Sequence, residues 1–170
     1  QMRSHYSVVM QRIILELQGV PCLFANDIKP KQQIIASRSF GTRITQKSEI
    51  IEAISTHLVR ACQKLRAQNS MASGMTVSIR TAAFQPKEKY YGNRATTKFT
   101  VPTADTRHMI AAAIRAIDSI FKQGPRYAKA GVMLFDISSA DTVQYDLFDE
   151  QVTPESNALM SVIDSINSRY

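Results

Sequence analysis

The chain has 170 residues, of which 44% are apolar. That suffices for one packed domain with extra length at the ends and excludes wholesale disorder, while no apolar run reaches the roughly 18 residues of a membrane-spanning helix. The formal net charge of +7 is uneven: residues 31–140 hold 17 basic and 6 acidic side chains, a balance of +11, whereas residues 141–170 hold one basic and six acidic ones. A basic middle of this kind attracts polyanions, nucleic acid above all.

Residues 5–18 place Val9, Ile13 and Leu17 four apart, with Met10 and Ile14 alongside, which predicts a helix stopped by Gly19 and followed by Pro21. Residues 20–33 read as a linker. Gln33–Phe40 favours a strand ended by Gly41, with Arg38 and Arg43 around its end. Its facing is ambiguous, so Ser37 and Arg38 cannot both be assigned to one side. Residues 46–68 give the clearest helix, with Ile50, Ile54, Leu58, Ala61 and Leu65 in one stripe. Thr45 or Ser48 can cap it, and Lys64 and Arg66 suit its negative end.

A loop with Ser70, Ser73 and Gly74 leads to a strand at Met75–Thr81, where Thr76, Ser78 and Arg80 alternate with Val77 and Ile79. After a polar loop, Arg94–Val101 forms another, with Arg94, Thr96, Lys98 and Thr100 on one side. Asp105 caps a helix to about Gln123 whose expected buried stripe is Ile110, Ile114, Ile117 and Phe121. Arg126-Tyr127-Ala128-Lys129 introduces a last strand at about Ala130–Ile137. Residues 138–151 look extended, and a short helix follows at roughly Glu155–Ser168, with Leu159, Val162, Ile163 and Ile166 apolar and no evident core to join.

The order strand, helix, strand, strand, helix, strand is the split β-α-β-β-α-β arrangement, an α+β fold whose four-stranded sheet carries two helices on one face. The expected layout adds an N-terminal helix and a C-terminal tail with a short helix. The open face would then be the Thr, Ser, Arg and Lys side, suited to phosphate oxygens and to positioning rather than sequence reading. Arg60, Lys64, Arg66 and Arg115 read as solvated helix surface, and Phe40 and Phe99 as core. Tyr90 and Tyr91 suit either loop packing or stacking on a sugar or base.

Cys22 and Cys62 stand without a CxxC partner, and His5, His57 and His108 are scattered, so no metal-ligand spacing is present. Free thiols suit a reducing cytoplasm, the expected location. Arg12 and Glu16 interrupt the apolar N-terminal positions, against a signal peptide, and a start at Gln1-Met2 reads as a piece of something longer.

The run Lys31-Gln32-Gln33-Ile34-Ile35-Ala36-Ser37-Arg38-Ser39-Phe40-Gly41 resembles the opening strand of the little finger domain of UmuC-type Y-family DNA polymerases. Further resemblances lie at Tyr90-Tyr91-Gly92-Asn93, at Pro102 to Arg107 and at Arg126 to Leu134, in the family's order, and residues 1–24 resemble the end of its thumb domain. The resemblance implies four segments: thumb end at 1–24, linker at 25–32, little finger at 33–137, and tail at 138–170. It implies a DNA-binding accessory domain of an error-prone translesion polymerase. The chain would hold no catalytic or metal-binding residue and no cofactor, Mg2+ belonging to a palm domain absent from it.

The expected DNA contacts are Lys31, Ser37, Arg38, Ser39, Arg43, Thr76, Ser78, Arg80, Arg94, Thr96, Lys98, Arg126 and Lys129, on double-stranded primer-template DNA. Gln144-Tyr145-Asp146-Leu147-Phe148 resembles the bacterial sliding-clamp-binding motif, although Tyr145 stands where the family often has an aliphatic residue. A processed UmuD-type dimer and RecA are further partners that the resemblance implies; a membrane is not. The alternative is an adaptor module of RNA-recognition-like topology without a polymerase, which would stack bases on aromatics of its central strands. The outward positions predicted for the second and third strands hold no ring.

Overall fold

The computed structural model describes residues 7–22, 32–83, 89–142, 154–167 and 169. Residues 1–30 and 31–170 form two separate compact units.

The first unit contains helix α1 (Val8–Leu17), capped by the Ser7 hydroxyl, which accepts from the Met10 amide, and followed by Gly19 at φ +82°. None of its residues is buried; Val8, Val9, Met10, Ile13 and Leu17 are all exposed.

The second unit runs β1 (Ile34–Ile44), α2 (Lys47–Ala67), β2 (Ser70–Thr81), β3 (Gly92–Thr103), α3 (Thr106–Ile120), β4 (Tyr127–Ser139), a single 3-10 turn at Ala140–Thr142, and α4 (Pro154–Asn167). The strands form one antiparallel sheet in the order β1-β4-β2-β3. Two parallel pairs are therefore each split by an inserted strand: β1 and β2, joined through α2, flank β4, and β3 and β4, joined through α3, flank β2. This is the expected α+β fold.

Both crossover helices pack on the same face. The α2 stripe Ile50, Ile54, Leu58, Ala61 and Leu65 is buried as expected, against Met75, Val77, Ile79, Val132 and Leu134 of the central strands. Burying these side chains removes apolar surface from water at about 25 cal/mol per Å2, the main stabilising term of the domain.

Several sequence expectations shift. Gly41 lies inside β1, where the pairing with β4 slips between Ser39 and Ile44, and does not end the strand. Ser73 and Gly74 belong to β2 rather than to a loop; the turn is made at Asn69, with φ +48°. The N-cap of α2 is Gln46, with no side-chain cap bond, in place of Thr45 or Ser48. Helix α3 ends at Ile120, and its buried face is Met109, Ala112, Ala113, Ala116, Ile117 and Ile120. Ile114 is consequently exposed, while Ile110 and Phe121 are only partly buried. Pro102 is tolerated in β3 because an edge strand has one unpaired side.

The terminal helix joins the domain through residues outside its apolar stripe, which stays without a core as expected. Met160 is 2% exposed, and Arg66 clasps Asp164 through Nε and Nη2, both at 2.6 Å. Arg66 Nη1 also donates to the Ala104 carbonyl at 2.7 Å and to Thr106 Oγ1 at 3.0 Å, so Arg66 is a link between elements rather than solvated surface. Leu159, Val162, Ile163 and Ile166 remain exposed. Among the described residues no helix is long and apolar enough to cross a membrane, and no three His, Cys, Asp or Glu side chains gather as a metal site.

Candidate nucleic-acid interface

Directly opposed residues of an antiparallel pair point to the same side of the sheet. The pairing therefore sorts every strand residue by face. Away from the helices lie three full rows: Ser39, Lys129, Arg80 and Gly92; Ser37, Gly131, Ser78 and Arg94; Ile35, Met133, Thr76 and Thr96. A partial row of Phe135, Gly74 and Lys98 follows. The alternation read for β2 and β3 matches this pattern, with Ser78, Arg80, Arg94, Thr96, Lys98 and Thr100 exposed.

No acidic residue occurs in these rows. Among the described residues, Arg80, Arg94, Lys98 and Lys129 have no ion-pair partner, whereas Lys47 pairs with Asp118 and Arg107 with Asp105 elsewhere. Four unneutralised cations on one side of a sheet favour an anionic ligand. Around Gly131 the face forms a depression of about 610 Å3, lined by Ser37, Ser78, Arg80, Arg94, Lys129 and Met133 among others.

The β1 ambiguity resolves by parity. Ser37 and Ser39 join the open face; Arg38, opposite Ala130, points to the helix side with Ile34 and Ala36. There its charge, together with that of Arg60, adds to burial in lowering the pKa of His57 below its usual value, burial being the larger cause. Arg43 is half-buried within the slip in β1, and Arg126 is exposed just before β4. Lys31 and the peptide Gln144-Tyr145-Asp146-Leu147-Phe148 lie outside the described residues.

The hydroxyls are partly committed. Thr76 and Thr96 share one hydrogen bond at 2.9 Å, and Ser78 donates to the Gly131 carbonyl at 3.3 Å. Phosphate oxygens only accept, so direct donation falls mainly to the four cations.

One feature escaped the sequence reading. The central strands are β4 and β2, and β4 carries a ring, Phe135, to the open side, where it lies over Gly74. Strand order could have exposed it, but single-strand alternation does not give strand order. Of the two tyrosines, Tyr91 is a packing residue: its hydroxyl donates to the Ile120 carbonyl, and its ring meets Tyr127 edge-on. Tyr90 is exposed beside the depression.

Comparison with known proteins agrees with this fold. The family model described as the impB/mucB/samB family C-terminal domain matches residues 31–147. This chain belongs to the impB/mucB/samB family. SamB of Salmonella typhimurium is 44% identical over 167 residues, covering 97% of this chain and 39% of SamB. UmuC of Salmonella typhimurium strain LT2 is 40% identical over 169 residues, 98% of this chain and 40% of UmuC. The chain thus spans about two fifths of the curated relatives it matches.

Among solved structures, the DinB-family error-prone DNA polymerase from Sulfolobus solfataricus superposes with a TM-score of 0.52 at 11% identity, covering 75% of this chain and 35% of that one. The insertion ternary complex of Dbh DNA polymerase gives 0.50 at 14% identity, covering 65% of this chain and 31% of that one. At such identities the likeness is one of fold. The impB/mucB/samB chain therefore shares its α+β fold with part of these polymerases, and its cationic face is directed away from the helices.

Proposed function

We propose that this chain is the DNA-gripping part of an error-prone translesion polymerase, its open sheet face lying along the backbone of a primer-template duplex. The observation that carries the reading is the set Arg80, Arg94, Lys98 and Lys129, without an ion-pair partner or an acidic neighbour among the described residues, on a face that no described helix of residues 31–170 covers. A polymerase that holds its nascent pair loosely gains affinity from a separate surface, and phosphate contacts supply it without sequence preference. Residues 1–24 form the end of a thumb domain, and Gln144, Tyr145, Asp146, Leu147 and Phe148 dock on the bacterial sliding clamp. A UmuD-type dimer and RecA belong to the proposal by family resemblance alone.

Titration of labelled duplex at several salt concentrations tests it. Each phosphate neutralised contributes a slope of about −0.9 in log K against log salt. Changing the four cations to Ala should flatten that slope by several such units, with the melting temperature nearly unchanged. Binding that ignores salt, or that discriminates between unrelated sequences, overturns the reading.

The proposal also places catalysis outside this chain, so the purified chain should extend no primer with any divalent metal. Extension that survives repurification would return the chemistry to these residues. The adaptor alternative gains one observation, the Phe135 ring on a central strand. Preference for single-stranded RNA over duplex DNA would favour it.

A further inference from the structure

The open face is not uniformly polar. Ile35, on edge strand β1, is 62% exposed, and Met133 stands directly opposite it on β4, half-buried. Phe135 continues the strip two residues along β4, over Gly74. The other half of the same row, Thr76 and Thr96, bonds hydroxyl to hydroxyl, so much of its hydrogen-bonding capacity is spent internally. A single exposed apolar side chain on a surface is ordinary. Here two stand in register, bordering a depression whose other side is Lys129, Arg80 and Arg94.

A nucleic-acid strand alternates anionic phosphates with sugars, and deoxyribose carries a methylene where ribose carries a hydroxyl. The cations match the phosphates. Ile35 and Met133 offer phosphates nothing but match the apolar side of the sugar between them. We propose that Ile35 and Met133 form an apolar seat for a backbone deoxyribose, adding affinity that salt does not screen and favouring DNA over RNA. This rests on the DNA-binding reading of the same face.

The test is a duplex titration over a range of salt with Ile35→Ala, Met133→Ala and the double variant, alongside an RNA duplex of the same sequence. The double variant should bind DNA roughly fivefold more weakly at every salt concentration, with an unchanged slope and a reduced preference over RNA. Ile35→Ala alone, at an exposed edge position, should show roughly a twofold to threefold part of that loss without altering the fold. Ile35→Met should restore binding. Equal affinities for wild type and Ile35→Ala, or a loss that appears only at low salt, would sink the seat while leaving the cationic face intact. A wild-type chain without salt-dependent binding would remove the DNA reading, and the seat with it.

Discussion

His57 sits on the inner side of α2, 8% exposed, and its Nε2 has no hydrogen-bond partner among the described residues. Burial, with Arg60 and Arg38 nearby, lowers its pKa from the usual 6.5. The unfolded chain therefore binds the proton first as pH falls, so stability from this site is complete above pH 6.5 and declines as pH drops below it. Replacing His57 by Leu removes the titration. Urea midpoints at mildly alkaline and mildly acidic pH should fall further for wild type than for His57→Leu on acidification. Equal drops for the two proteins would show that His57 takes up its proton as readily in the fold as in the unfolded chain. Two glycines act by absence of a side chain: a Cβ on Gly74 would overlap the Phe135 ring, and one on Gly131 would meet Ser37. At Gly131 the close approach leaves the open face low where the depression forms.

At the level of elements, the described contacts of α4 include a buried Met160 and the side-chain clasp of Arg66 on Asp164. A bidentate, partly desolvated pair of this kind is worth on the order of 1 kcal/mol or somewhat more. Asp164→Ala should raise amide exchange along α4 while β2 and β4 keep their protection. Arg66→Ala should do more, because the contacts with Ala104 and Thr106 go with it. Uniform loosening of the whole domain would instead make α4 part of its cooperative core. The sequence disclosed elements better than their docking. Alternation of outward polar residues with mostly apolar ones over Met75–Thr81 of β2 and Arg94–Val101 of β3 made their faces legible. In β1, the adjacent Ile34 and Ile35 fit either face, and only pairing with β4 separates them. The α3 stripe was misplaced because Ala112, Ala113 and Ala116 carry the contact with little hydrophobic signal, whereas Ile114 has a strong signal and is exposed. The candidate cations on β2 and β3 were readable for the same reason as the faces; the Ile35–Met133 strip was not, since strand order is a nonlocal outcome.

Across the whole molecule, charge is divided unevenly along the chain. The +11 of residues 31–140 suits a polyanion, and the −5 of residues 141–170 repels one, so on the proposed reading the acidic end is left for a protein partner while the sheet takes the DNA. Leu147 and Phe148 stand between acidic neighbours, where exposed apolar side chains are costly unless a partner buries them. An apolar pocket on the clamp would gain roughly 1.5–3 kcal/mol for each before ordering costs, and the Gln144 amide can fix the register. On the near side of this peptide, the 3-10 turn is tied down by the Ala140 amide on the Asn69 carbonyl at 2.9 Å and by Asn69 on Asp141 at 3.1 Å. On the far side, α4 is tied down through Arg66. Both flanks of the peptide are thus anchored by described residues. Replacing both with Ala should abolish binding to the sliding clamp in a surface-capture assay, with the melting temperature and duplex affinity left nearly as they were. A double variant that loses several kcal/mol of stability and still binds the clamp would place the pair in the domain's own packing.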